Sequence, residues 1–198
     1  MKIITIAHQK GGVGKSTLAL NLALGFQEQL TVRLIDSDIQ GSLYHIKDDF
    51  DELAIAGPPE LAEDKQPYDL IIVDTPPYLT NRLPELFQRS DLILVPTKAG
   101  FFDVMAIRST IALIKQAQRE KPSLKAAIVL NMVKPRSGIT ADVTALLKDM
   151  AIPLLTTVIH DRVSIARSAM TGGVFQGHDS KAKGELMALT SEIIDLFS

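Results

Sequence analysis

The sequence predicts an α/β fold: a doubly wound, mostly parallel sheet with helices on both faces, in a single domain spanning residues 1–198. Three observations carry this prediction. Apolar runs rich in β-branched residues recur along the chain, continuous rather than alternating, as strands buried on both faces of a parallel sheet require. Helix-length stretches separate those runs, so strand and helix alternate. The polar residues able to do chemistry lie where the apolar runs end, at the edge where such sheets bind ligands.

The strand candidates are residues 3–7, 31–35, 70–73, 92–95, 126–130 and 154–159, and helices are predicted over 16–29, 79–89, 104–121, 140–150 and 181–197. Residues 46–67 break the pattern. They carry Asp48, Asp49, Asp51, Glu52, Glu60, Glu63 and Asp64 together with Gly57-Pro58-Pro59, and read as a solvated connection with short helices.

Composition narrows the function. The 198 residues are 46% hydrophobic and 22% charged, an ordinary globular balance with enough length for one core. No apolar run is long enough to cross a bilayer. The chain enters its first strand without a charged-then-apolar leader, which places it in the cytoplasm. Cysteine is absent, which excludes disulfides, thiol nucleophiles, iron–sulfur clusters and thiolate zinc sites. The net charge of −2 is unevenly spread: 9 basic against 14 acidic residues up to Lys98, then 12 against 9 from Ala99 onward. That asymmetry hints at a basic surface on the C-terminal half.

Residues 10–17 read Lys-Gly-Gly-Val-Gly-Lys-Ser-Thr, between the first strand and the first helix. This is a phosphate cradle. The amides of Lys10, Gly11, Gly12, Val13, Gly14, Lys15, Ser16 and Thr17, together with the positive end of the helix dipole, face an anion. Glycine lets the backbone approach phosphate oxygens that a Cβ would obstruct. Lys15 reaches the β- and γ-phosphates, and the Ser16 hydroxyl sits on Mg²⁺. Lys10 is an additional lysine at the start of the loop, with no evident task inside one subunit.

Three aspartates stand at strand ends. Asp74 is placed to bind Mg²⁺ and Asp36 to hold a Mg²⁺-bound water, although a cap or turn role also fits Asp36. Asp38, further out, is placed to orient a water for attack on the γ-phosphate. Thr75-Pro76-Pro77 makes a rigid turn after Asp74, suited to register which nucleotide is bound or simply to end the strand. Asn131 ends the fifth strand candidate, where its amide suits a purine edge; a turn role competes. Arg162, Arg167, Lys181 and Lys183 are the candidate DNA contacts, sensitive to salt and blind to sequence. The histidines His8, His45, His160 and His178 lack metal-ligand spacing, and His8 receives no role. Phe101, Phe102 and Met105 read as core or interface.

The loop with a lysine at both ends resembles the deviant Walker A motif of the ParA/MinD superfamily of P-loop ATPases. The likeness continues in Leu34-Ile35-Asp36-Ser37-Asp38-Ile39-Gln40-Gly41, with Ile39 where the family has proline, and in Asp74-Thr75-Pro76-Pro77. Val174-Phe175 and Ala182-Lys183-Gly184-Glu185 resemble the C-terminal stretch of small ParA partition ATPases. The resemblance implies binding of ATP or ADP with Mg²⁺ and an ATP-sandwich homodimer in which Lys10 crosses to the other subunit's phosphates. It further implies non-specific DNA binding, nucleoid association, and slow hydrolysis stimulated by a ParB-like partner. Partition of a plasmid or chromosome is the first expectation, and positioning of a protein cargo such as a microcompartment or chemoreceptor cluster is the alternative.

Other relatives fit less well. A nitrogenase-reductase role needs cysteine ligands. A MinD-like division-site role needs a basic amphipathic membrane helix, whereas this chain ends in the acidic Glu192-Ile193-Ile194-Asp195-Leu196-Phe197-Ser198, so no membrane is expected. A tyrosine-kinase role needs a terminal tyrosine cluster, and a non-catalytic switch is argued against by intact Lys15, Asp38 and Asp74.

Overall fold

The computed structural model describes residues 1–38, 41–57, 67–78, 80–135 and 139–198. Seven strands form one sheet: β1 (Lys2–Ile6), β2 (Val32–Asp36), β3 (Ala54–Ala56), β4 (Leu70–Asp74), β5 (Leu92–Thr97), β6 (Lys125–Val133) and β7 (Leu154–His160). Their order is β3-β2-β4-β1-β5-β6-β7, and every pairing is parallel. The six predicted strands are all present, shifted by a few residues at their ends. The unpredicted one is β3, whose three residues Ala54-Ile55-Ala56 are too short to show a period. It forms against β2 in the register Arg33↔Ala54 to Ile35↔Ala56. The acidic connection also holds a 3-10 turn over Tyr44–Asp49, and its remainder around Glu60, Glu63 and Asp64 lies outside the described residues.

Among the described residues, six α-helices accompany the sheet: α1 (Lys15–Gln27), α2 (Leu83–Arg89), α3 (Phe101–Glu120), α4 (Ile139–Lys148), α5 (Val163–Ala166) and α6 (Ser180–Asp195). α2 starts at Leu83 with a proline in its first turn, where the missing N–H costs nothing. α3 starts three residues earlier than predicted because the Gly100 carbonyl accepts from both Asp103 and Val104 N–H. α6 is capped by Asp179, whose carboxylate accepts from Lys181 and Ala182 N–H.

Successive strand residues point to opposite faces, and both faces are covered, which is why the apolar runs are continuous. On one face Ile4, Ile6, Leu34, Ile72 and Leu94 pack with Leu22 and Phe26 of α1 and Leu186 and Ile193 of α6. On the other, Ile3, Ile71, Val73, Ile93 and Val95 pack with Phe87 of α2 and Ile107 and Ile114 of α3. Asn21 of α1 is fully buried and fully bonded. Its Nδ2 donates to Thr17 O at 2.8 Å and Ser168 Oγ at 2.7 Å, and its Oδ1 accepts from Val174 N at 2.9 Å. That network ties the helix after the phosphate loop to the segment before α6. Phe101 and Phe102 are 55% and 79% exposed, so they belong to the surface rather than the core. Met105 packs partly buried against the second face.

Candidate functional site

β1 lies between β4 and β5 near the middle of the sheet, and its end delivers the chain into the loop of residues 10–17. Gly12 and Gly14 adopt φ of 70° and 84°, backbone that L side chains rarely take. Gly14 has a second constraint: a Cβ there would fall 2.5 Å from Asn131 Nδ2. Val13 is buried and anchors the loop, while Gly11 and Gly12 face outward. Pro77 of the turn after β4 lies 3.8 Å from the Cβ position of Gly11, and Thr75 Oγ1 donates to Ile6 O at 2.8 Å. The predicted rigid turn therefore abuts the loop.

Lys15 is 7% exposed, and its ammonium donates to Lys10 O at 3.3 Å. Burial lowers its pKa, and the carboxylates of Asp74 and Asp38 oppose that shift. Behind it, Ser16 Oγ donates to Asp74 Oδ2 at 2.5 Å. Asp74 Oδ1 is buried with no hydrogen-bond partner among the described residues. Burial raises the Asp74 pKa to about 7; the Ser16 bond pulls it down and the neighbouring Asp36 pushes it up. A hydroxyl and an orphaned carboxylate oxygen behind a phosphate cradle are a donor set that fits Mg²⁺. That ion takes one or two protein ligands and completes its shell with phosphates and water.

Asp36 is engaged by the backbone around it. Its Oδ1 accepts from Asp38 N at 3.0 Å, and its Oδ2 accepts from Leu43 N at 2.8 Å and Tyr44 N at 3.2 Å. The carboxylate shapes the loop and caps the following 3-10 turn, which is the alternative the sequence left open. That turn positions Asp38, whose carbonyl accepts from Gly41 N. Ile39 and Gln40 lie outside the described residues.

Asn131 is buried at the end of β6, and its Nδ2 donates to Val13 O at 2.8 Å. It therefore clasps the phosphate loop before any base arrives. The next residue, Met132, has φ 55°, and the β6–β7 register shifts there, so a strained strand end aims the clasp. Both residues line a cavity of about 260 Å³ beside Gly12 and Gly14, lined also by Ile159, Asp161, Arg162 and Ile165.

Lys10 differs from expectation. Its ammonium lies 2.5 Å from Asp103 Oδ1, so inside one chain the lysine already has a partner. Its backbone N–H donates to His8 Nδ1 at 2.8 Å. His8 is buried, and burial first, then the Lys15 charge, lowers its pKa to about 4, with Lys10 adding to and Asp103 opposing the shift. A neutral imidazole accepting at Nδ1 carries its proton at Nε2.

His8 sets a pH dependence. Its folded pKa lies below its unfolded value of 6.5, so its contribution is present above pH 6.5 and is lost as pH falls towards 4. Asp74 contributes with the opposite sign between about pH 4 and 7. Comparing His8→Asn with the parent separates the two. Between pH 7.5 and 4.5 the variant should lose less stability than the parent by on the order of 2 kcal/mol in urea unfolding. Equal losses would mean that His8 is not held neutral.

The predicted DNA contacts divide. Arg162 is committed: its Nη2 and Nε donate to Glu185 at 2.6 and 3.2 Å, and His160 shares the same carboxylate. That pairing joins the end of β7 to α6 and gives Arg162 a carboxylate partner within the chain. Arg167 and Lys181 are exposed and Lys183 half-exposed. Sequence reading passed over His8, Asp103 and Asn21. The signal for Asn21 was a lone amide inside an apolar helix, and for His8 its place two residues before the loop.

With this geometry in view, comparison with known proteins is decisive. Residues 4–174 match the profile of the CobQ/CobB/MinD/ParA nucleotide binding domain. The chain belongs to that family. A curated relative, the maintenance of carboxysome distribution protein A of Halothiobacillus neapolitanus, is 33% identical over 207 residues, covering 96% of this chain and 95% of its own. Among solved structures, apo McdA of Cyanthece superposes with TM-score 0.79 at 16% identity, covering 98% of this chain and 99% of its own. The septum site-determining protein MinD of Pyrococcus horikoshii OT3, complexed with Mg-ADP, gives 0.73 at 20% identity over 100% and 97%. The fold of the CobQ/CobB/MinD/ParA domain is thus present from end to end. Among the described residues, no helix is long and apolar enough to cross a membrane.

Proposed function

We propose that this chain is a dimerising, ATP-switched ATPase that distributes a protein cargo, of the microcompartment kind, over DNA. The observation that carries the cargo is the likeness at 33% identity, along nearly the whole of both chains, to a protein named for carboxysome distribution. DNA partition, the first expectation from sequence, becomes the competing reading.

The chain's own residues divide the work. The amides of Lys10 to Thr17 and the Lys15 ammonium hold the phosphates of ATP or ADP. Ser16 and Asp74 hold Mg²⁺, which neutralises phosphate charge when bound. The cavity under Asn131 and Met132 takes the base. Asp38 orients a water, and Lys10 reaches the nucleotide of a second copy. Phe101 and Phe102, exposed beside the loop, lie on the face that a second copy would meet. Hydrolysis is slow and stimulated by a small partner protein, and the ATP form is cytoplasmic and bound to the nucleoid.

DNA binding draws on Arg167, Lys181 and Lys183. ATP-bound protein should retard DNA of any sequence, and reversing Arg167 and Lys181 to glutamate should weaken retardation and lower the log–log salt slope by about 1.8, or ~0.9 per lost phosphate contact. A slope unchanged in that variant would remove both residues from the DNA surface. The cargo is tested by deletion in the source cell. Clumped microcompartments with normal DNA inheritance are expected; plasmid or chromosome loss with normally spaced cargo would sink the proposal.

A further inference from the structure

Two side-chain contacts fasten the start of the phosphate loop to α3 of the same chain. Lys10 Nζ lies 2.5 Å from Asp103 Oδ1, and Ser109 Oγ donates to Gln9 Oε1 at 2.8 Å. Asp103 sits in the first turn of α3, where the positive end of the helix favours a carboxylate. Its side chain is 15% exposed, against 43% for Lys10. The room it occupies depends on Gly100: a Cβ there would fall 2.5 Å from Asp103 Oδ2. On the loop side, His8 Nδ1 fixes the Lys10 backbone. Lys10 is therefore held at both its main chain and its ammonium, and any use of that ammonium in a second subunit must first break the Asp103 pair.

We infer that Asp103 is a positioning residue for Lys10: it stores the lysine against α3 in the isolated chain and sets how readily the lysine is released to a second copy's nucleotide. This rests on the proposed trans role of Lys10. The exchange is between anions. One carboxylate competes with the higher charge of a nucleoside triphosphate, so the stored pair resists association until that charge is supplied. The same turn carries the exposed Phe101–Phe102 pair, rings 5.8 Å apart and edge to face, so release of Lys10 frees the turn that presents them.

The test is sedimentation equilibrium of the full chain with Mg²⁺ and a non-hydrolysable ATP analogue, alongside monomer affinity for a fluorescent nucleotide. Asp103→Asn should tighten the dimer by about 5- to 25-fold, since a partly exposed ion pair shifts an equilibrium by up to about fivefold and a symmetric dimer opens two. Monomer nucleotide affinity should not change. Gly100→Ala, at an ordinary φ of −118°, displaces the carboxylate without altering charge and should act in the same direction. It carries the test if Asp103→Asn does not fold. Lys10→Ala should lose the dimer, and Asp103→Asn should not restore it. A dimer unchanged or weakened by Asp103→Asn, while Lys10→Ala still disrupts it, would overturn the storage role alone. A Lys10→Ala dimer of parental strength would instead overturn the trans reading.

Discussion

Lys15→Ala should lower ATP turnover, measured with DNA and the activating partner present, by on the order of 10²–10³, the loss typical of removing one donor from a preorganised charged site. The variant should fold at least as well as the parent. Lys15 is 7% exposed, and its ammonium makes a long hydrogen bond, 3.3 Å to Lys10 O. Its lowered pKa shows that burial works against its charge, with Asp74 and Asp38 compensating in part. In the proposed phosphate-binding role, an ammonium kept buried on those terms gains its full complement of partners when phosphate oxygens arrive. Phosphate release and the thermal midpoint should therefore separate: the first collapses and the second holds or rises. A midpoint falling together with turnover would assign Lys15 to the fold. Parental turnover would remove it from the phosphate site.

How much of this was legible in the sequence depends on the range of the interaction concerned. The sheet was legible because Ile3–Ile6 or Leu70–Val73 advertise two buried faces through unbroken apolar runs. The loop was legible because glycines at positive φ and a lysine at a helix start leave a local pattern. β3 was not, since three residues hold no period and its formation depends on β2 beside it. Asp36 shows the limit at a single residue: a strand-end aspartate reads equally as ligand or cap until the amides of Leu43 and Tyr44 are seen on its Oδ2. Lys10 shows it at long range. Its partner Asp103 is 93 residues away and appears only when the fold brings the loop after β1 to the first turn of α3. Arg162 looked like part of a basic patch because charge counts do not reveal that Glu185, 23 residues on, pairs with it from α6.

Asp74→Asn should move stability and activity in opposite directions. Asp74 is 2% exposed, and burial raises its pKa from 3.8 to about 7. The penalty for ionising it in the fold is absent below about pH 4, grows as pH rises to 7 and is complete above that. A shift of that size corresponds to about 4 kcal/mol. Asparagine removes the charge and can still accept from Ser16 Oγ, but it places an amide N–H where Oδ1 has no partner, at a cost of about 1–3 kcal/mol. The variant without ligand should therefore be more stable than the parent by roughly 1–3 kcal/mol at pH 8, from the balance of those two effects. At pH 4 the advantage should vanish or reverse. Adding Mg²⁺ and ATP should invert the order at pH 8. At a hundred times its dissociation constant a ligand stabilises the parent by ~2.7 kcal/mol, whereas the variant lacks the carboxylate that the metal requires. Urea unfolding at the two pH values, with and without Mg-ATP, reads both halves. If the variant is destabilised at pH 8 without ligand, the buried charge is already satisfied and Asp74 is structural. If it gains as much from Mg-ATP as the parent, the metal is held elsewhere. The expected crossing would mean that the fold keeps an ionisable group at a position where it weakens the empty protein, because only the nucleotide-bound protein uses it.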